Sequence, residues 1–265
     1  MNNYLIILSI ILNLILVYHL YRKKIRMLFF FPNFFPKIKS VDLSTIHEIF
    51  LPNNNIREYN FPKEAVVVKN FFIDPSFRLV GLTSDYESWI LSCIARCSKN
   101  IFEFGTASGK TTALLALNSP QDSKIYSLTL DPDSIDSYNF LEDKKEFRSM
   151  KNAKNESIYK KFIFSDMSIK NKIKVFFQDS SKFDDSNYTN SMDLIFIDGG
   201  HNYSCVKSDS EKSFKMIKKN GYIFWHDYVP AKKSVRGVFK YINEIIKYKK
   251  IFHINNTTLC YYRHE

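Results

Sequence analysis

From residue 81 onward the chain alternates short apolar runs with amphipathic stretches. Ser84 and Glu87 form a capping box ahead of Trp89, Ile90, Cys93, Ile94 and Cys97, which recur at helical spacing. A short strand, IFEF (101–104), comes next, then a glycine-bearing loop and a helix at about 109–118. KIYSLTL (124–130), KIKVFFQDS (172–180), MDLIFIDGGH (192–201) and YIFWHDY (222–228) read as further strands. The near-continuous apolar run in the stretch 192–201 is the pattern of a strand covered on both faces, at the centre of a parallel sheet. Helices are predicted over about 203–218 and 234–248, and Asn220-Gly221 reads as a turn. Residues 133–160 are polar and helix-like without clear limits. KIFHI (250–254) and TLCYYR (258–263) close the chain as an antiparallel hairpin. Strands alternating with helices predict an α/β class: a Rossmann-like, doubly wound, mostly parallel sheet ending in that hairpin.

The first 80 residues are patterned differently. Residues 4–20, YLIILSIILNLILVYHL, hold no charge, and Arg22, Lys23, Lys24 and Arg26 follow at once. As a helix this run spans about 26 Å, close to the hydrocarbon thickness of a bilayer. A cleaved signal peptide needs positive charge before the apolar run and small residues after it, and neither is present. The pattern predicts one transmembrane helix with the C-terminal body on the cytoplasmic side. MLFFFPNFFP (27–36) is too broken by proline for a second span; it suits the membrane interface or packing on the domain. Pro52, Pro62, Pro75 and the run Asn53-Asn54-Asn55 interrupt residues 37–80. The expected organisation is 1–24 as anchor and basic flank, 25–80 as juxtamembrane linker and N-terminal extension, and 81–265 as the domain.

Composition narrows the classes. The net charge is +11, but the lysines spread along the chain and no RNA-binding signature with interleaved aromatics occurs. Nucleic acid is therefore not the expected partner. Cys93, Cys97, Cys205 and Cys260 are scattered, which suggests neither zinc nor a disulfide framework. Cys93 and Cys97, four apart on one helix, are expected in the core.

The loop after the first domain strand reads EFGTASGKTT (103–112). Its Gly109-Lys110-Thr111 ending suggests a phosphate-gripping loop, but that motif needs four residues between its first glycine and the Gly-Lys pair. The first glycine here is Gly105, one place late, and Glu103 would repel a triphosphate. In a doubly wound sheet the ligand lies at the carboxyl ends of the strands. Polar groups gather at five such ends: Glu103 with the glycines, Asp131, Asp179-Ser180, Asp198 to His201, and His226-Asp227-Tyr228.

EFGTASG (103–109), FIDGGHNY (196–203), the Lys219-Asn220-Gly221 turn, WHDY (225–228) and FHINNTTLCYYR (252–263), taken in order, resemble the class I S-adenosylmethionine-dependent methyltransferases. More narrowly, they are similar to the methyltransferase domain 24 group and its catechol-type and macrolide-sugar O-methyltransferase relatives. The resemblance covers about 81–265. It implies that the loop Gly105, Thr106, Ala107, Ser108 and Gly109 holds the methionine part of the cofactor, with Thr111 offering a hydroxyl to its carboxylate. Glu103 would face the amino-acid end, directly or through the loop; otherwise it caps local N–H groups. The family's ribose-binding acid falls at Thr129, a departure, with Asp131 two residues on as a substitute. Asp179 and Ser180 would meet the adenine.

Methyl transfer to oxygen needs alignment, exclusion of water, and removal of a proton by a base or a metal. The resemblance implies Mg²⁺ on Asp198 and Asp227, although Tyr228 stands where those relatives carry a ligating Asn. His201 and His226 are the alternative bases, beside Asp198 at the cofactor, and His201 is favoured. Strand alternation would point His226 and Asp227 to opposite faces. Tyr203 is expected to pack rather than react. The resulting expectation is a membrane-anchored, cytoplasm-facing methyltransferase acting on a small molecule, sugar or lipid-linked glycan. The alternatives are a non-catalytic tethered domain, which the Thr129 departure favours, and an RNA methyltransferase.

Overall fold

A computed structural model of the chain describes residues 9–18, 38–47, 68–79, 83–135, 154–230 and 232–265. Among them, one eight-stranded sheet runs in the order β1-β7-β8-β6-β5-β2-β3-β4. Its strands are β1 (Ser40–Val41), β2 (Asn100–Phe104), β3 (Lys124–Thr129), β4 (Ile173–Phe177), β5 (Met192–Ile197), β6 (Ile217–Trp225), β7 (Ile251–Ile254) and β8 (Cys260–Arg263). All neighbours are parallel except β8, which is antiparallel to both β6 and β7. The strand order reverses between β2 and β5, so a crevice opens there at their carboxyl ends.

Helices α1 (Asp85–Ala95), α2 (Lys110–Asn118), α3 (Tyr203–Met216) and α4 (Arg236–Ile245) cover the sheet. One core face packs Ile90, Leu91, Leu115, Leu194 and Phe224; the other packs Phe102, Ile195, Trp225, Val238 and Ile242. The central strands are buried on both faces, which explains their unbroken apolar runs. α1 begins as its sequence predicts: Ser84 Oγ accepts from Glu87 N at 3.3 Å and Glu87 Oε2 accepts from Ser84 N at 3.1 Å.

Several elements differ from expectation. α3 stops at Met216, because the chain already pairs with β5 at Ile217. The pairing then slips, with Asn220 at φ 63°, before Tyr222–Trp225 lies against Leu194–Ile197. Asn tolerates this left-handed geometry better than other residues with a Cβ, so the expected turn survives as an irregularity inside a strand. β6 ends at Trp225, not at residue 228. Cys93 is buried, but Cys97 lies beyond the end of α1 and is exposed.

Residues 38–47 and 68–79, expected in an extension outside the domain, pack onto it. Ser40 and Val41 pair with His253 and Ile254, and Ile46 is 2% exposed. Phe71 and Phe77 pack on a cluster of Ala113, Tyr159, Phe162 and Phe164. Of the apolar run 4–20, residues 9–18 are described; they are helical, with Ile10, Leu12, Leu14 and Leu16 exposed. Among the described residues no helix is long and apolar enough to cross a membrane. The rest of that run, the stretches 27–36, 48–67 and 80–82, and the centre of 133–160 lie outside the described residues.

Candidate active site

The crevice between β2 and β5 is lined by the ends of both strands, from Phe104 and Gly105 to Asp198 and Gly199. Of the predicted cofactor residues, Gly105, Ala107, Thr129, Asp179, Ser180 and Asp198 line it. Glu103, Thr106, Ser108, Gly109, Thr111 and Asp131 do not line it.

The reasons are local. Glu103 is 1% exposed and turned into the protein, where its Oε2 accepts from Ser127 Oγ at 2.6 Å and from the Thr112 hydroxyl. Thr106 Oγ1 meets the same Ser127 hydroxyl at 2.7 Å. Glu103 therefore braces the loop from below through side-chain hydroxyls, rather than capping backbone N–H groups. Burial pushes its pKa up to about 8 against the lowering effect of those hydrogen bonds. Thr111 pairs with Thr83 at 2.9 Å, so its neighbour Thr112 is the one that faces inward. Ser108 O accepts from Ile163 N at 3.1 Å, and a Cβ on Gly109 would meet Phe164 at 2.7 Å. The start of α2 is thus roofed by Phe162 and Phe164. Lys110 Nζ donates to Thr83 O at 3.0 Å and pairs with Asp85 at 3.4 Å, a tie between helices and not a phosphate grip.

Gly105 has φ 99°, and a Cβ there would lie 2.2 Å from Asp198 O. The glycine is required for the close passage of the loop over the end of β5, not only for approach to a ligand. At the end of β3, Thr129 faces the crevice, whereas Asp131 closes its own turn. It accepts from Asp133 N at 3.0 Å and Ser134 Oγ at 2.6 Å. The shared face expected for the two residues does not arise, because β3 ends at Thr129. Asp179 likewise accepts from Ser181 N at 2.9 Å.

Beside the crevice lies a second cluster. Ligand atoms of Asp198, His201 and Asp227 all fall within 4.8 Å of one another. His201 Nε2 is 3.3 Å from Asp227 Oδ2 and 3.7 Å from Asp198 Oδ1, buried, and without a well-formed hydrogen bond. Burial opposes a charge on His201, but Asp198, Asp227 and Glu156 overcome it and raise its pKa. His226 is the supporting histidine: Nδ1 lies 3.0 Å from Asp198 Oδ1 and Nε2 lies 3.4 Å from Glu87 Oε2. Despite its burial, these carboxylates hold His226 well above its usual pKa. Burial in turn disfavours the Asp198 charge, yet His226 and His201 bring its pKa down to about 2. Asp227 has φ 61°, off the strand, so alternation does not apply and both neighbours approach Asp198. Tyr228 is buried and its hydroxyl donates to Asn243 Oδ1 at 3.2 Å; it is a packing residue. Tyr203 donates to Glu244 at 2.8 Å and packs on Tyr241.

Sequence reasoning missed three carboxylates. Glu87, visible only as a capping residue, also accepts from Thr258 N at 2.6 Å and Thr258 Oγ1 at 2.8 Å, joining α1 to the C-terminal hairpin. Glu156 enters from the helical residues 154–156, in a stretch of sequence with no clear periodic signal, and lines the crevice beside the His201 cluster. Asp209 sits on α3, six residues beyond Tyr203, and lines the crevice floor.

A crevice at the reversal of a doubly wound sheet, with glycine-bearing and acidic strand ends, defines a nucleotide-cofactor enzyme of the Rossmann-like class. Residues 102–228 match a methyltransferase domain family model, Methyltransf_24, so this part of the chain is similar to the methyltransferases. No curated protein matches the chain. A protein from Staphylococcus aureus named as a caffeoyl-CoA O-methyltransferase is 18% identical, with 70% of this chain and 86% of that one covered and a TM-score of 0.50. The O-methyltransferase TomG from Streptomyces achromogenes, involved in tomaymycin synthesis and solved with S-adenosylmethionine, is 12% identical. It covers 69% of this chain and 82% of its own, with a TM-score of 0.49. At 18% identity the likeness to the Staphylococcus aureus protein speaks to the fold alone.

Proposed function

We propose that this methyltransferase moves the methyl of S-adenosylmethionine to an oxygen of a small molecule, sugar or lipid-linked glycan, working at the cytoplasmic face of a membrane. The observation that carries the oxygen reading is the orphaned His201 Nε2, buried between Asp198 and Asp227 at the rim of the crevice. A hydroxyl nucleophile must lose its proton as the C–O bond forms and the S–C bond breaks, and this is a centre built to take one. Asp198 is the hinge of the site, since it lines the crevice and belongs to the cluster. His226 holds its carboxylate in place, and the carboxylates around His201 stabilise an imidazolium once Nε2 has accepted the proton.

The same atoms fit a divalent cation: two carboxylates and an imidazole nitrogen without a well-formed hydrogen bond, their ligand atoms within 4.8 Å of one another. Carboxylates suit Mg²⁺, and the imidazole adds affinity for a first-row ion such as Mn²⁺. When bound, such an ion would lower the pKa of the acceptor hydroxyl. Membrane attachment rests on the uncharged run 4–20 with its basic flank, and on the exposed apolar side chains of its helical part, 9–18.

The test is transfer of labelled methyl to a metabolite extract, with chelator and with added Mg²⁺ or Mn²⁺. Label on an oxygen is expected. Activity that survives chelation assigns His201 as base, and activity restored by metal assigns the cluster as ligands. Cofactor binding with no transfer to any fraction would leave a non-catalytic domain and sink the proposal.

A further inference from the structure

The two acids of the His201 cluster sit on different elements, Asp198 just past β5 and Asp227 just past β6. One further carboxylate reaches toward both. Glu87 lies in the first turn of α1 and is 4% exposed. Its Oε2 accepts from Ser84 N at 3.1 Å and from Ser84 Oγ at 2.6 Å, and lies 3.4 Å from His226 Nε2. Its Oε1 accepts from Thr258 N at 2.6 Å and from Thr258 Oγ1 at 2.8 Å. Capping α1 requires only the Ser84 bonds. The others lead into the cluster along two arms. The first runs through His226, whose Nδ1 lies 3.0 Å from Asp198 Oδ1. The second runs through Thr258, in the loop joining β7 to β8. Its hydroxyl gives its proton to Glu87 and accepts from Asp227 N at 3.3 Å. Thr258 O also accepts from Tyr228 N at 2.9 Å. This arm meets the backbone where it needs holding, because Asp227 has φ 61°. A residue with a Cβ keeps that left-handed conformation only where its surroundings impose it.

We propose that Glu87 is a positioning residue for methyl transfer, setting the separation of Asp198 and Asp227 by holding one through His226 and the other through Thr258. The inference rests on the reading that transfer is completed at this cluster. His201 stands between the two acids, its Nε2 3.7 Å from Asp198 Oδ1 and 3.3 Å from Asp227 Oδ2. A change in their separation therefore changes the setting of the nitrogen that takes the proton, and reactions of this kind are sensitive to such shifts. The hydrogen bonds also fix what Glu87 is. An ionised carboxylate only accepts, and the Ser84 and Thr258 groups around it all donate. Burial opposes that charge, but His226, Ser84 and Thr258 outweigh it and lower the pKa. His226 must then present an N–H from Nε2, so that nitrogen is not a proton acceptor and His201 is left as the base. Glu87 itself does not line the crevice, so its task is separable from cofactor binding.

The experiment measures labelled methyl transfer to the metabolite extract by the full chain, in whichever of the chelated or metal-supplemented conditions supports it. Calorimetric binding of S-adenosylhomocysteine is measured beside it. Glu87→Gln removes the charge, and Glu87→Asp keeps it on a side chain too short to span both arms. Both variants are expected to bind S-adenosylhomocysteine within about threefold of the wild type and to transfer methyl at least about tenfold more slowly. Thr258→Val, which cuts the side-chain link to Asp227, should slow transfer by itself but add little to Glu87→Gln, since the two act along one path. A merely structural Glu87 would lower the denaturant midpoint and leave transfer per folded molecule unchanged, and that result overturns the inference. Restoration of transfer by Glu87→Asp, or losses in Glu87→Gln and Thr258→Val that multiply, overturn it as well. If neither Glu87 variant folds, Thr258→Val decides: slower transfer with cofactor binding intact supports the inference, and unchanged transfer overturns it. A wild type that binds the cofactor and transfers no label would instead remove the methyl-transfer reading. The linkage is then read from unfolding: His226→Gln and Thr258→Val should share their loss of midpoint in the wild-type background and lose independent amounts in Glu87→Gln. Independent losses in both backgrounds overturn it.

Discussion

Glu103 shows how one residue's identity can be legible while its task is not. The sequence marks an acid at the end of β2 and before a glycine loop, but only packing tells which way it points. It points inward, onto Ser127 and Thr112, with Oε1 buried and unpartnered. The consequence is a pH-dependent cost. Burial raises its pKa from 4.5 to about 8, so the folded state holds this proton longer than the unfolded state does. Stability is therefore greatest below pH 4.5, falls as pH rises through the interval up to the folded pKa, and is level above it. Glu103→Gln removes that slope. The variant should match the wild type near pH 5 and exceed it near pH 9 by a few kcal/mol, on the order set by the shift. Denaturant midpoints at both pH values check this; parallel curves would contradict it. Gly105 was legible for a better reason, since a Cβ added there would lie 2.2 Å from the Asp198 carbonyl oxygen.

At the scale of elements, apolar runs gave away β2, β3 and β5 because both their faces are covered. Ser40–Val41 could not be read the same way: a two-residue edge strand has too little pattern, and its partner β7 lies more than two hundred residues away in the chain. The link among α1, β5 and the chain after β6 was equally hidden. It is made by His226 between Asp198 and Glu87, with Glu87 reaching on to Thr258. Spacing announces none of these partners. The pH dependence of this clamp has two edges. His226, with its pKa raised, contributes stability that is full below pH 6.5 and is lost as pH rises through the folded value. Glu87 and Asp198, with pKa values lowered, contribute stability present above their ordinary values and lost as pH falls. His226→Ala strands the buried Glu87 and the half-buried Asp198 and should cost about 3 kcal/mol near pH 6, the lower end for broken buried pairs. The loss should shrink in strong acid and at alkaline pH. Urea unfolding across pH reads it, and a pH-independent loss below 1 kcal/mol would refute the clamp.

For the whole molecule, the decisive geometry is where the anchor candidate ends and the domain begins. Residues 38–47 are sheet and core: Ile38, Val41 and Ile46 are buried, and Tyr222 Oη donates to Ile46 O at 2.9 Å. A cut after residue 24 leaves this edge intact. A cut after residue 47 strips β1 from β7, leaving the ladder groups of His253 and Ile254 unpaired and opening the cluster around Ile254. The two truncations therefore separate attachment from folding. On the proposed attachment through the apolar run 4–20, the full chain should sediment with membranes and resist extraction by salt, which would release a chain held by its net charge of +11. The chain lacking 1–24 should remain in the soluble fraction and bind S-adenosylhomocysteine within about threefold of the full chain, a difference under 1 kcal/mol. The chain lacking 1–47 should unfold at markedly lower denaturant, since its buried apolar edge residues are exposed. Flotation on vesicles and calorimetry measure both arms. Release of the full chain by salt alone would make the attachment electrostatic, and loss of cofactor binding on removing 1–24 would place that segment inside the functional domain.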